Sequence, residues 1–291
     1  MKRKYISLWV LIFTMVTILV GCGPKKEKDT LVMGFVPLID GDKLVDSVKP
    51  LSEILTKAIG KKVEVFTATN YVGVVEAMGS SKVDFGIIPP FAYILANKES
   101  GAQVILKALN KHNKSFYRSE FVVRKESKIN SLEDLKGKIV AFVDPSSSSG
   151  YLYPGAYLKK NGIDIEKDIQ IVYSGGHDKS IQLLLNGDVD LIAIFEGARK
   201  KYQKEFTNVL EDTKIFGYSE NIPYISVTVR GDMDEKTKKE IKEGLLKGLN
   251  SKEAKEITSK LFSIYGFEEA TDSDFDSIRT TAKLMNINLE K

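Results

Sequence analysis

The sequence has few of the residues that form disulfides and metal sites. Cys22 is its single cysteine, so no disulfide can form within the chain. Its two histidines, His112 and His177, lie far apart in the sequence, and neither has a partner at the spacing of a zinc site. We therefore expect neither a metal nor any other cofactor.

Motifs of catalysis and phosphate binding are absent as well. The chain contains no Gly-x-Ser-x-Gly, which argues against a nucleophile elbow, and no Gly-Lys-Ser/Thr, which argues against a P-loop. Its net charge is +4, but Lys2, Arg3 and Lys4 supply three of those charges, and without them 40 basic residues face 39 acidic ones. A protein that binds nucleic acid usually has a basic excess, so we expect no nucleic-acid partner.

The N-terminus has the pattern of an export signal. A basic start is followed by an apolar run over 6–20, which is too short for a lasting membrane span and ends in small residues. Leu-Val-Gly-Cys22 resembles the bacterial lipobox, which implies cleavage before Cys22, lipid such as palmitate on that residue, and anchoring to the outer face of the cell membrane. We expect a signal peptide over 1–21 and a lipidated tether over 22–30; the alternative is a truncated leader with an unmodified cysteine.

The remaining chain is long enough for two domains of moderate size. Apolar runs alternate with helical patterns, which predicts α/β layers with largely parallel sheets. Strands are predicted at 31–36, 63–66, 83–88 and 138–143, and helices at 43–59 with an interruption at Pro50, 71–78, 91–96, 156–160, 235–249, 254–265 and 275–285.

An internal repeat predicts two similar lobes. Residues 71–84 and 177–190 each have the pattern of a helix, a tight turn and a Val-Asp pair, and an apolar strand follows each. Ligands of open α/β sheets bind beyond the carboxyl ends of the strands, so we expect a cleft between the lobes. If the extended runs 117–124 and 225–230 cross between lobes, lobe one holds 31–120 and 223–291 and lobe two holds 121–222.

A run of four serines, Ser146 to Ser149, lies between a predicted strand and a predicted helix. The first amides of a helix have no internal partner, and the macrodipole makes that end positive. Small hydroxyl residues leave these amides accessible and add donors of their own. The run therefore predicts an oxyanion site without a formal positive charge; the alternative is a capping residue in a polar loop.

Four further residues are candidates for the same cleft. His177 follows a Gly-Gly turn at a helix start and could donate to an anion, unless it is a surface or capping residue. Glu196 ends an apolar strand and could accept from a P–OH group or pair with an ammonium, unless it only favours a helix dipole. Tyr71 and Tyr93 open helices and could form walls around a small ligand, unless they are core residues.

Taken together, these segments resemble the phosphate/phosphite/phosphonate substrate-binding lipoproteins of ABC transporters, the PhnD type. The resemblance covers about 31–285 and implies the type II fold of periplasmic binding proteins. In that fold two α/β lobes, joined by two hinge-crossing strands, close over the ligand. It rests on the segments 70–71, 83–93, 144–151, 174–178 and 222–224.

The resemblance implies that the serines hold a phosphorus oxyanion, that the tyrosines close from the other lobe, and that the histidine donates to an oxygen. The sequence differs from the family pattern at Asn70, where an acid is common, at Ser148, where Thr is frequent, and at Glu196, where Asp is frequent. The expected ligand-binding residues are Tyr71, Tyr93, Ser147, Ser148, Ser149, His177 and Glu196.

The predicted function is that of the extracytoplasmic solute-binding component of an ABC importer for phosphonate, phosphite or phosphate. We expect a monomer that is not an enzyme and whose partners are the ligand, a permease and, through its lipid, the membrane. One alternative is a different ligand, such as a thiamine-related phosphate whose ring stacks on the aromatic residues of lobe one. The others are a secreted serine hydrolase that pairs one of the serines with His177, and an exported sensor domain.

Overall fold

The computed structural model describes residues 29–37 and 41–289. The predicted signal peptide, Cys22 and most of the predicted tether lie outside these residues. Within the described part of the chain, no helix has both the length and the apolar character that a membrane span needs.

Strands and helices alternate along the chain, as the sequence predicts. The described strands are β1 (Thr30–Phe35), β2 (Lys62–Thr67), β3 (Phe85–Ile88), β4 (Gln103–Leu109), β5 (Phe116–Tyr117), β6 (Ser119–Arg124), β7 (Ile139–Phe142), β8 (Gln170–Tyr173), β9 (Leu191–Phe195), β10 (Thr213–Tyr218), β11 (Ile222–Pro223), β12 (Ser226–Val229) and β13 (Gly266–Glu269). The described α-helices are α1 (Gly41–Ile59), α2 (Tyr71–Gly79), α3 (Pro90–Ser100), α4 (Tyr153–Lys160), α5 (His177–Asn186), α6 (Ala198–Lys201), α7 (Val209–Asp212), α8 (Glu235–Gly248), α9 (Lys252–Phe262) and α10 (Asp276–Leu284).

Two mixed sheets form the cores of two lobes. The six-stranded sheet of lobe one has the order β13-β4-β12-β3-β1-β2, and the five-stranded sheet of lobe two has the order β10-β6-β9-β7-β8. Pairs around β1 and β7 are parallel, but β12 and β6 run antiparallel to their neighbours. The prediction of largely parallel sheets was therefore wrong, because β6 and β12 enter their sheets directly from the crossings, at the cleft, and run away from it.

The crossings between the lobes meet in a short antiparallel ladder of β5 and β11, in which Ile222 pairs with Tyr117. The extended runs predicted as crossings lie mostly inside the sheets, as β6 and β12. A long apolar run is typical of a strand buried in a sheet, whereas each strand of the crossing ladder has only two residues and gives little periodic signal. The division of the lobes at 120 and 223 stays a prediction.

Helix α1 continues through Pro50, where the sequence predicts an interruption. A proline inside a helix removes one backbone hydrogen bond and disfavours the helix locally. The apolar face of α1 nevertheless buries Val48, Leu51 and Leu55 completely against the six-stranded sheet. Burial on both sides of Pro50 holds the two halves in one helix.

The Val-Asp pair of lobe one fixes the six-stranded sheet from within. The carboxylate of Asp84 is fully buried, and its Oδ2 accepts a 2.9 Å hydrogen bond from the amide of Val32 on β1. Its Oδ1 lies 3.0 Å from Nε of Arg230, which directly follows β12. Asp84 thus connects three neighbouring strands, because it lies at the start of β3.

The second Val-Asp pair makes equivalent contacts in lobe two. Oδ2 of Asp190 accepts a 3.0 Å hydrogen bond from the amide of Ile139 on β7, and Oδ1 lies 3.8 Å from the guanidinium of Arg124 at the end of β6. Here the carboxylate is partly exposed and the ion pair is longer. The internal repeat therefore places an equivalent aspartate, bonded to a strand amide and an arginine, in each sheet. The contacts of Asp84 in lobe one are the stronger ones.

Candidate ligand-binding site

A cavity of about 90 Å³ lies between the lobes, at the carboxyl ends of the parallel strands. This volume accommodates several water-sized groups, which suits a small polyatomic ligand. A wider outer cavity adjoins it and shares Glu196 and Tyr117 with it. The inner cavity is lined by Tyr71, Pro89, Tyr117, Ser147, Ser149, His177, Phe195, Glu196, Lys201, Tyr224, Ile225, Phe262 and Ser263.

The serine run lies at the predicted position between strand β7 and helix α4. Its helical part begins earlier than predicted, with a single π-helical turn over Ser148–Leu152 that leads into α4. Ser147 caps this turn, since its Oγ accepts a 3.0 Å hydrogen bond from the amide of Gly150. Pro154, near the start of α4, has no N–H to donate. The serine run therefore leads into α4 through an irregular turn instead of a regular first helical turn.

The four serines have different roles. Ser147 and Ser149 line the inner cavity. The hydroxyl of Ser146 donates to Oδ1 of Asp144 at 2.7 Å, and Oγ of Ser148 accepts a 2.9 Å hydrogen bond from the amide of Phe91 in the other lobe. The structure thus places two of the three predicted serines at the cavity wall and uses Ser148 as a bridge between the lobes.

Two helix N-termini of lobe one dock on the serine loop. The amide of Tyr71, which begins α2, lies 3.4 Å from Oδ2 of Asp144, and the amide of Phe91 donates to Ser148. First-turn amides have no partner within their own helix, so these contacts satisfy donors that closure of the lobes would otherwise bury unpaired. Phe91 is the first residue of this region with an amide N–H to donate, because the two residues before it, Pro89 and Pro90, are prolines.

His177 has the environment of a neutral hydrogen-bond donor. Its Nδ1 accepts from the amide of Phe195 at 3.4 Å, and its ring packs edge-on against the Phe195 ring with centroids 4.8 Å apart. Burial, followed by the positive charge of Lys201, lowers the pKa of His177 to about 3, so the imidazole is neutral at pH 7. Because Nδ1 accepts, the proton sits on Nε2, which leaves that N–H for a ligand.

The two candidate tyrosines lie in different environments. Tyr71 lines the cavity, is buried to 1% exposure, and its hydroxyl has no hydrogen-bond partner among the described residues. Tyr93 does not line the cavity; its hydroxyl donates to Asp272, and its ring packs against Phe275 with centroids 5.1 Å apart. Tyr93 therefore connects α3 to the C-terminal segment. The sequence could not distinguish the two tyrosines, because both lie at the start of a helix.

Glu196 lies at the rim between the inner and outer cavities and is already paired. Nη2 and Nε of Arg118 contact its two carboxylate oxygens at 2.7 and 3.2 Å, and the same guanidinium stacks on the Tyr218 ring at 4.1 Å. A ligand group that bound Glu196 would compete with its bidentate ion pair to Arg118.

Sequence reasoning missed Tyr117, Tyr224 and Lys201. The rings of Tyr117 and Tyr224 meet edge-on across the crossing ladder, with centroids 5.3 Å apart. Burial raises the pKa of Tyr117 to about 12, although hydrogen bonds that its oxygen accepts from the hydroxyls of Ser149 and Ser148 lower it in part. Both tyrosines lie on the crossings, so a correct placement of the crossings would have predicted them; Lys201 lies in a run of basic residues and carries no such signal.

The family of periplasmic substrate-binding proteins of ABC phosphonate transporters matches residues 33–275. The chain belongs to this family. No cluster of three or more histidine, cysteine, aspartate or glutamate side chains in the described part of the substrate-binding protein is arranged to hold a metal ion.

Individual relatives of this substrate-binding protein differ in ligand. The phosphate-import protein PhnD of Mycolicibacterium smegmatis is 37% identical over 172 residues, or 56% of this chain and 54% of the relative, so the match spans about half of that protein. The phosphonates-binding periplasmic protein of Escherichia coli is 26% identical over 254 residues, which cover 86% and 75%. PhnD1 of Prochlorococcus marinus, solved with methylphosphonate, has a TM-score of 0.78 at 22% identity and covers 89% of this chain and 99% of its own.

Family membership decides several predictions. The two-lobed type II fold is confirmed by the structural neighbours. The family consists of transport components, which confirms that the substrate-binding protein is not an enzyme and that it works outside the cytoplasm, with a small ligand and a permease.

Proposed function

We propose that this protein is the substrate-binding component of an ABC importer for a small phosphorus oxyanion, namely a phosphonate, phosphite or phosphate. The observation that carries the proposal is a small interlobe cavity with hydroxyls of Ser147 and Ser149, the Nε2–H of His177 and the unpartnered hydroxyl of Tyr71. The relatives named for phosphate, for phosphonates and for methylphosphonate support the same class of ligand.

The chemistry of the lining favours an oxygen-rich acceptor. A tetrahedral oxyanion offers acceptors in several directions at once, and each donor that the closed lobes bury needs one of them. A ligand that lacks an oxygen would leave a buried donor unpaired, and this penalty gives specificity. The inner cavity is also small, which favours such an anion over a ring-bearing phosphate.

Ligand binding is coupled to lobe closure in this proposal. The contacts of Asp144 with Tyr71 and of Ser148 with Phe91 form only when the lobes meet, and they flank the cavity. An anion held by both lobes binds the closed state more tightly and shifts the population toward it. The closed protein is then the form that the permease recognises.

The geometry of His177 does not favour the hydrolase alternative. A serine nucleophile needs a histidine whose second ring nitrogen is oriented by an acid. In this structure Nδ1 of His177 accepts from the backbone amide of Phe195 instead. The imidazole is thus oriented to donate through Nε2 rather than to abstract a proton.

The membrane anchor belongs to the proposal too. The lipobox-like sequence before Cys22 supports a lipoprotein with a signal peptide over 1–21, a palmitoylated Cys22 and a tether over 22–30. We propose that this lipoprotein acts as a monomer. Detergent phase separation of the wild-type chain and a Cys22→Ser variant tests the anchor, and an aqueous wild-type protein would contradict it.

The test of ligand class is calorimetric titration of residues 23–291 with phosphite, methylphosphonate, aminoethylphosphonate and phosphate. We expect tight binding of one ligand and weak or no binding of the others, since the buried donors match one arrangement of oxygens. Protein shown to be folded and ligand-free that gives no heat with any of the four would overturn the proposed ligand class.

A matched pair of variants tests which tyrosine serves the ligand. Tyr71→Phe is expected to weaken oxyanion binding about tenfold, without loss of stability, since its hydroxyl is buried without a partner in the free protein. Tyr93→Phe is expected to leave affinity unchanged and to lower the free energy of unfolding by about 1 kcal/mol, because Asp272 loses a donor. Titration calorimetry and urea unfolding measure both; a larger affinity loss in Tyr93→Phe would reverse the assignment.

A further inference from the structure

Among the described residues that line the inner cavity, Lys201 is the one that carries a positive charge. It ends α6 in lobe two, and its Nζ donates a 2.5 Å hydrogen bond to the carbonyl oxygen of Leu261 in lobe one. That carbonyl belongs to the last turn of α9, where backbone acceptors are unpaired and the helix dipole is negative. The ammonium therefore spans the cleft at the cavity wall.

The positive charge of Lys201 has no counterion in this arrangement. No carboxylate among the described residues forms an ion pair with it, and the acid that shares the cavity, Glu196, is paired with Arg118. Even partial burial of an ammonium without a counterion is costly, and desolvation lowers the pKa of Lys201 to about 8. The ammonium has three N–H donors, of which Leu261 accepts one.

We propose that Lys201 supplies the formal charge of the oxyanion site, so that the ligand must be anionic as well as correctly shaped. This inference rests on the proposed function, and it replaces the sequence-based expectation of an oxyanion site without a formal positive charge. The bond to Leu261 and the Phe195 ring, whose centroid lies 5.5 Å from Nζ, hold the ammonium at the cleft and leave its remaining donors for the anion. Lys201 thereby links the charge of the ligand to the closure of the lobes.

The charge of Lys201 gives the site a pH dependence that its neighbours do not supply. Burial raises the pKa values of the cavity tyrosines, the imidazole of His177 is neutral above pH about 3, and Glu196 is ion-paired. As the pH rises through about 8, Lys201 loses its proton and the attraction for a dianion falls. The titratable residues that line the cavity together with Lys201 are Tyr71, Tyr117, His177, Glu196 and Tyr224. Arg199, Lys200 and Tyr202 adjoin Lys201 in the sequence, and the negative charge of Asp178 acts on Tyr71 and Tyr202.

The test compares Lys201→Met with Lys204→Met, a control at an exposed position near α6. With phosphite near neutral pH, Lys201→Met is expected to bind roughly tenfold to hundredfold more weakly than wild type, as for loss of a charged hydrogen bond, while Lys204→Met binds as wild type does. Between pH about 7.5 and 9.5 wild-type affinity should fall about tenfold, and Lys201→Met should show no such fall. Lys201→Arg, which stays charged, should keep its affinity across this range.

The outcomes separate the two proposals. If wild type binds an oxyanion and Lys201→Met binds it equally well, or with the wild-type pH profile, the role of Lys201 is overturned and the proposed function stands. If folded, ligand-free wild type binds none of the four oxyanions, both are overturned. Thermal unfolding of each ligand-free variant shows that it is folded. Lys201→Met should fold, because it removes a partly buried charge that has no counterion.

Discussion

Asp84→Ala is expected to lower the free energy of unfolding by about 3–5 kcal/mol, as for the loss of one partner from a buried ion pair. The substitution leaves the amide of Val32 without its acceptor and removes the carboxylate that holds Nε of Arg230. Arg230 keeps its contact with Asp232, so the lower part of this range is expected. The loss arises from an unpaired buried donor and a poorly compensated buried charge rather than from a cavity.

The matched control is Asp190→Ala, which removes the equivalent carboxylate from lobe two. Its side chain is 31% exposed and its guanidinium partner lies 3.8 Å away, so the expected loss is about 1 kcal/mol. Urea unfolding of residues 23–291 without ligand gives both values. Equal losses in the two variants would show that the buried contacts of Asp84 stabilise the protein no more than the partly exposed contacts of Asp190.

Gly150→Ala is expected to abolish most of the oxyanion affinity, with a loss of roughly a hundredfold as several site hydrogen bonds break together. A Cβ at Gly150 would lie 2.5 Å from Cβ of Val143 and 2.8 Å from Oγ of Ser147. The serine loop would have to move by about 1 Å to restore normal contact, which displaces both cavity serines and Ser148. Overpacking should also cost about 1–3 kcal/mol of stability.

Two variants show whether the crowding itself is responsible. Gly217→Ala adds a methyl group whose nearest neighbour would be 3.9 Å away, on the Phe121 ring, and should leave affinity unchanged. Adding Val143→Gly to Gly150→Ala removes both atoms of Val143 that would lie 2.5 Å from the new Cβ, and should restore part of the affinity. Calorimetry on all variants decides the matter, and wild-type affinity in Gly150→Ala alone would mean that the serine loop does not form the site.

Much of the site could be predicted because its residues lie at the ends of local elements. The serine run, His177 and Tyr71 each follow a strand and begin a helical segment, and such positions converge at the carboxyl edge of a sheet. The structure gathers Tyr71, Ser147, Ser149, His177 and Glu196 around one cavity. That they bind the ligand remains a prediction.

The features of the site that the sequence could not predict have a common cause. Tyr93 and Tyr71 occupy similar positions at helix starts, yet only the packing of α3 against the C-terminal segment brings Tyr93 to Asp272. Lys201 is one of several basic residues in its run, and its role depends on the carbonyl of Leu261, 60 residues away in sequence. Contacts between elements that are distant in the chain leave no periodic pattern in either segment.

The alternation of strands and helices, the repeated Val-Asp unit and the serine run at a strand-to-helix junction can all be predicted from the amino-acid sequence, because hydrophobic period and helix-end chemistry are local properties. The direction of β6 and β12, the position of the crossing ladder, the use of Ser148 as a bridge and the presence of a cation in the cavity follow only from the packing of the folded chain. These features depend on how two lobes meet across the cleft, and burial of charge and pairing of donors exist only once they have met.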